Sequence, residues 1–193
     1  LEFKRVLFRS GNTICDNTPI TFTAVTTNTG TVSSYQWKLN GQNVGSNSPT
    51  YTVSSLTSNA TVSVVINATN LCSSVVQQAT SNVVAVTVVS NPTPANAGAD
   101  QQQCGNGSFS LLANTPVSGT GSWALISGVA SLSASNTPGI TVTGIPVGTS
   151  AVLRWRIVGA PCAASSDDIT LTNLAAPEIT AALDSVLCRS EEH

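Results

Sequence analysis

The sequence predicts an all-β chain made of two tandem antiparallel β-sandwiches. Three observations predict it. Short stretches rich in β-branched residues alternate apolar and polar at a period of two. Cysteines and tryptophans recur in step about every 85 residues. No stretch of ten or more residues has helical periodicity.

The elements follow in order. Ile20, Phe22 and Ala24 alternate with Thr21 and Thr23, giving a strand with one buried face. Tyr35, Trp37 and Leu39 alternate with Gln36 and Lys38, and Asn40-Gly41 after them is a tight hairpin signal. Val62, Val64 and Ile66 form a third strand, and Val84, Val86 and Val88 close the first module. Asn91-Pro92-Thr93-Pro94 reads as a semi-rigid linker. Landmarks then repeat. Gly121-Ser122-Trp123-Ala124-Leu125-Ile126 matches Ser34–Leu39, and Val152–Ile157 matches Val62–Ile66. Leu56 precedes Cys72 by 16 residues and Ile145 precedes Cys162 by 17. Several short strands in units of this size indicate sandwiches.

Composition narrows the function. Of 193 residues, 8% are charged, while Ser, Thr and Asn make up about a third. A net charge of -2 and seven basic residues exclude a nucleic-acid footprint, which needs clustered Lys and Arg. No apolar run approaches a membrane span, so no membrane insertion is expected of this stretch.

The two ends read as foreign. One DNA word read on its two strands encodes both Val6-Leu7-Phe8-Arg9-Ser10 and Arg189-Ser190-Glu191-Glu192-His193, and it resembles a short-read sequencing adapter. Residues 1–10 and 189–193 are therefore expected to be adapter-derived. Setting them aside removes His193, the only histidine, and with it any Ser-His-Asp triad, Cys-His pair or His-liganded metal. The expected organisation is a first sandwich over 11–91 with its first strand cut short, a second over 92–174, and the opening of a third repeat over 175–188.

The cysteines define the repeat. Cys15 and Cys72 lie 57 residues apart, and Cys104 and Cys162 lie 58 apart. One disulfide per module is expected, Cys15–Cys72 and Cys104–Cys162, with Cys188 left over from the third repeat. A cysteine metal site lacks close Cys-x-x-Cys spacing. Trp37 and Trp123 are expected in the cores. Trp155 lies between Arg154 and Arg156, the only basic pair between the ends. It reads as a core residue with outward arginines, or else Arg154, Trp155 and Arg156 form an anionic-glycan contact. Asp167-Asp168 reads as a solvated turn, with calcium, helped by Asp100 or Glu178, as the sharper alternative. Asn59, Asn67 and Asn106 open glycosylation sequons, and Asp184-Ser185-Val186 resembles a bacterial surface O-glycosylation signal.

Tyr35–Gly41 with Val44-Gly45 and Ser48-Pro49-Thr50-Tyr51 resembles the PKD-like/Ig-like repeats of very large bacterial surface proteins. Ala97–Gln101, Gly119–Trp123 and Ser165–Thr170 are similar to a sister repeat type of those proteins. The resemblance implies non-catalytic spacer or adhesion modules of an exported, extracellular or cell-surface protein, without enzyme activity or cofactor. Its implied partners are neighbouring repeats and, beyond them, surface glycans or proteins. The alternative is an accessory carbohydrate-binding segment of a secreted polysaccharide-active enzyme.

Overall fold

The structure, a computed structural model, describes residues 6–7, 12–26, 29–70 and 73–177. All regular structure among them is β. The strands of the first repeat are β1 (Val6–Leu7), β2 (Thr13–Cys15), β3 (Ile20–Ala24), β4 (Thr29–Leu39), β5 (Gln42–Val44), β6 (Thr50–Val53), β7 (Ala60–Asn70), β8 (Ser73–Thr80) and β9 (Val84–Val89). Those of the second are β10 (Gln101–Cys104), β11 (Phe109–Leu112), β12 (Thr120–Ser127), β13 (Ser131–Leu132), β14 (Gly139–Thr143), β15 (Thr149–Gly159) and β16 (Cys162–Leu174). Two compact units are present. One comprises Leu1–Ala95, Thr115–Gly121 and Arg156–Ser166; the other comprises Asn96–Asn114, Ser122–Trp155 and Asp167–His193. The division thus does not follow the sequence repeats alone, because two segments of the second repeat belong to the first unit.

In the first unit, one sheet has the order β1-β3-β6, and the other runs β2-β9-β7-β4-β5 with β8 also on β7. Period-two alternation builds the core between them. Ile20 and Phe22 from β3 meet Trp37 from β4, Val62, Val64, Ile66 and Ala68 from β7, and Val84 and Val86 from β9. Phe22, Trp37 and Tyr51 form an aromatic cluster with ring centroids 5.8–6.4 Å apart. The Asn40-Gly41 signal holds: both residues have positive φ, 49° and 82°, and Leu39 pairs with Gln42 across a two-residue turn.

In the second unit the sheets are β11-β14-β13 and β10-β16-β15-β12. Phe109, Leu111, Ile140 and Val142 face Trp123, Leu153, Trp155, Ile169 and Leu171, all buried. Corresponding positions lie 89 residues apart over much of each repeat. Ile20 corresponds to Phe109, Leu56 to Ile145 and Ile66 to Trp155, and each is buried. The hydrogen bonds agree: Ala24 N–H donates to Pro49 O as Ala113 N–H donates to Pro138 O, and Ala60 N–H to Thr57 O as Thr149 N–H to Pro146 O. This register places Ile66 opposite Trp155 in the comparison, one residue off the match read from sequence.

The all-β sandwich class holds, with one refinement. The sandwiches are not antiparallel throughout. The first full strand of each repeat runs parallel to the last, Cys15 opposite Val89 and Cys104 opposite Leu174. A parallel partner requires a long connection, and here the whole repeat lies between the two strands. Of residues 1–10, the structure describes Val6 and Leu7. Val6 and Leu7 pair with Ala24 and Thr23 of β3. The equivalent place in the second unit is held by Asn96, whose carbonyl accepts from Asn114 N–H.

One buried polar side chain organises an end of the second unit. Asn173, 2% exposed, accepts at Oδ1 from Gly105 N–H (3.1 Å) and donates from Nδ2 to Ile145 O (2.8 Å). Gly107, at φ +56°, lies so close that a Cβ there would stand 2.6 Å from Ile145 O. Asn173→Ala is therefore expected to cost about 1–3 kcal/mol in urea unfolding, because it leaves the buried Ile145 carbonyl without its donor and removes the acceptor of Gly105 N–H.

Candidate functional site

The cysteines hold the covalent feature of the fold, and they correct the expected pairing. Cys15 is bonded to Cys162, with the Cα atoms 5.6 Å apart. Both belong to the first compact unit. Cys15 ends β2 beside Val89, and Cys162 Sγ lies 3.8 Å from the next carbonyl, Ser90 O, where the linker begins. Asn91 Nδ2 donates to Asp16 O at the same place (3.1 Å). The linker thus carries Cys162 to Cys15. Cys104 is free and exposed. It could not have met Cys162. Cys104 lies opposite Leu174, at the far end of the strand that Cys162 opens. Twelve residues of strand span roughly 40 Å, whereas a bridge needs Cα atoms within about 7 Å. Cys72 and Cys188 lie outside the described residues. Equal spacing within each repeat suggested pairing within each repeat; the parallel first and last strands defeat that reading.

The charged residues of the second unit are engaged in the fold. Arg154 Nε and Nη2 donate to Asp168 Oδ1 and Oδ2 at 2.6 and 2.8 Å, a bidentate pair on the outer face of β15 and β16. The hydrogen bond from Arg154 holds the Asp168 carboxyl below its ordinary range, and Asp168 raises the guanidinium. With the carboxyl lowered, any stabilisation is present above the ordinary carboxylate range and lost as pH falls through the lowered value. Both groups are exposed, so its contribution is small. Asp167 Oδ2 accepts from Ala97 N–H (2.8 Å), and Asp100 Oδ1 accepts from Thr170 N–H (2.7 Å). Asp167 and Asp168 are neighbours on a strand rather than in a turn, so they point to opposite faces. Glu178 lies outside the described residues. Among the described residues no three His, Cys, Asp or Glu side chains converge as metal ligands.

The glycan contact read at Arg154, Trp155 and Arg156 also needs correction. Trp155 is 0% exposed and packs against Trp123, with ring centroids 5.2 Å apart. It offers no face to a sugar. Strand alternation turns Arg154 and Arg156 outward and the indole inward, and the larger apolar surface takes the core side. Arg154 is committed to Asp168, and Arg156 is exposed. Trp37 Nε1 donates to Ser48 O (2.9 Å) and Trp123 Nε1 to Pro138 O (3.2 Å), while the buried Trp155 Nε1 has no partner.

The sequence reading missed a polar groove on the outer face of the first unit. Gln36, Lys38, Asn43, Val65, Asn67 and Gln78 line a cavity of about 270 Å³. The same alternation that buries Trp37 and Ile66 turns these residues outward from β4, β5, β7 and β8. Gln36 Nε2 donates to Trp37 O and Val44 O (3.0 and 3.1 Å), and Asn67 Nδ2 donates to Ser34 Oγ (2.8 Å). The amides are held mainly by the protein itself, leaving Lys38 as the one cation of the groove lining. The signal was present in the polar half of each alternation, but amides on an outer sheet face resemble any solvated surface.

No family profile matches the chain, and no curated protein matches it. Several solved structures are similar to it over most of its length, at low identity. Fibronectin(III)-like modules of Clostridium thermocellum CbhA are 16% identical, with 98% of this chain and all of that chain covered and a TM-score of 0.42. DIP-gamma IG1+IG2 is 10% identical, with 86% and 93% covered and a TM-score of 0.43. The insect immune protein hemolin is 11% identical, with 91% and 46% covered and a TM-score of 0.45. The chain is an all-β protein of two sandwich repeats. No helix among the described residues is long and apolar enough to cross a membrane.

Proposed function

We propose that this chain is a stretch of non-catalytic spacer or adhesion modules from an exported bacterial surface protein. The observation that carries the reading is where the chemically useful side chains go. Asp100, Asp167, Asp168 and Arg154 are bound to backbone amides or to each other. All three tryptophans are buried. What faces solvent is largely Thr, Ser, Asn and Gln, which keep a fold wet without building a site. The disulfide supports export, since such bonds persist in oxidising compartments. The partners proposed are neighbouring repeats, with surface glycans or proteins as weak contacts. The segments 1–10 and 189–193 are read, on their sequence, as adapter-derived.

The groove around Lys38 supports the second reading, an accessory carbohydrate-binding role. A glycan array probed with the full chain separates the two. The spacer reading expects no binding at micromolar concentration. Binding there that is lost in a folded Lys38→Ala variant would replace it with the carbohydrate-binding one.

A further inference from the structure

Cys104 is exposed and unbonded, yet its place in the fold is a bonding place. It ends β10 as Cys15 ends β2, and each strand runs parallel to the last strand of its repeat. The two cysteines are 89 residues apart, the offset that also relates the buried residues and turn hydrogen bonds of the two repeats. Cys15 is bonded, and its partner belongs to the following repeat in sequence: Cys162, the first residue of β16. The sequence also places Cys72 in the first repeat, 90 residues before Cys162. After Pro177 the sequence resumes Leu183–Cys188, matching the approach to Cys104. Further repeats of this type would each supply both kinds of cysteine.

We propose that Cys104 is the bonding site for the following repeat, through the cysteine that stands there as Cys162 stands in the second. Each consecutive pair of repeats is then joined by one disulfide besides the peptide chain. The first-strand cysteine of one repeat takes the last-strand cysteine of the next. Each bond forms as two thiols give two electrons and two protons to a disulfide oxidant, which leaves as two thiols. The proposal holds whether the repeats act as spacers or as glycan binders.

The test lengthens the full chain by inserting a second copy of residues 93–177 after Pro177. Free thiols are alkylated in the folded protein, which is then digested without reduction and mapped. Two links are expected: Cys15–Cys162, and Cys104 to Cys162 of the inserted copy, with Cys104 of the inserted copy alkylated. A C162S change in the inserted copy should return Cys104 to the alkylated pool. Alkylation of Cys104 in the folded, lengthened chain overturns the proposal, as does a Cys104–Cys104 link between two molecules. If the links are mixed, the same chain with C72S and C188S removes the competing thiols. Mixed links there as well also overturn it, because the fold would not be selecting the pair.

Discussion

Trp155→Ala is expected to destabilise the second unit by about 3–5 kcal/mol, the cost of removing a large side chain from a closed core. Trp155 is fully buried against Trp123 and is flanked on β15 by buried Leu153 and Ile157. Nothing on the surface compensates. A second substitution sharpens the prediction. Trp155 Nε1 is buried without a partner, whereas Trp37 and Trp123 each donate to a backbone carbonyl. Trp→Phe at 37 or 123 therefore costs a hydrogen bond as well as volume, and at 155 it removes an unsatisfied donor. Urea unfolding should find Trp155→Phe milder than the other two by about 1 kcal/mol. Equal losses at the three positions would mean that the Trp155 indole has a partner in solution.

Cys15→Ser is expected to have an effect of similar size. The bridge closes a separation of 147 residues. By the chain-entropy argument such a loop is worth about 5 kcal/mol, with measured values for disulfides commonly nearer 2–4 kcal/mol. The denaturant midpoint of the first unit should fall accordingly in Cys15→Ser and in Cys162→Ser, and the double substitution should add little to either. Cys104→Ser should leave the midpoint unchanged, because Cys104 is exposed and unbonded. A loss at Cys104 as large as at Cys15 would contradict the pairing.

Much of the fold was legible because period-two alternation is a local signal. Phe22, Trp37, Val64 and Val86 are buried where the pattern placed them, and Asn40-Gly41 turns as its composition requires. The repeat was legible for the same reason, since each landmark lies in its own strand. The bridge was not. Which cysteines meet depends on the pairing of first and last strands, a contact spanning 74 residues in the first repeat and 70 in the second, and on the path of the linker past Ser90. Spacing in sequence carries no information about either. The role of Arg154 was half legible: alternation gave its direction, but not that Asp168 on the neighbouring strand would accept from both its Nε and Nη2. Asn173 was invisible, because a single Asn in an Asn-rich chain does not announce that it is buried.

The central claim is that the covalent tie runs from the first repeat's opening strand to the second repeat's closing strand. Peptide mapping of the unmodified chain, alkylated while folded and digested without reduction, tests it most directly. The structure predicts a Cys15–Cys162 link and an alkylated Cys104. Finding Cys15 bonded to Cys72 and Cys104 bonded to Cys162 would contradict it and restore a separate bridge within each repeat.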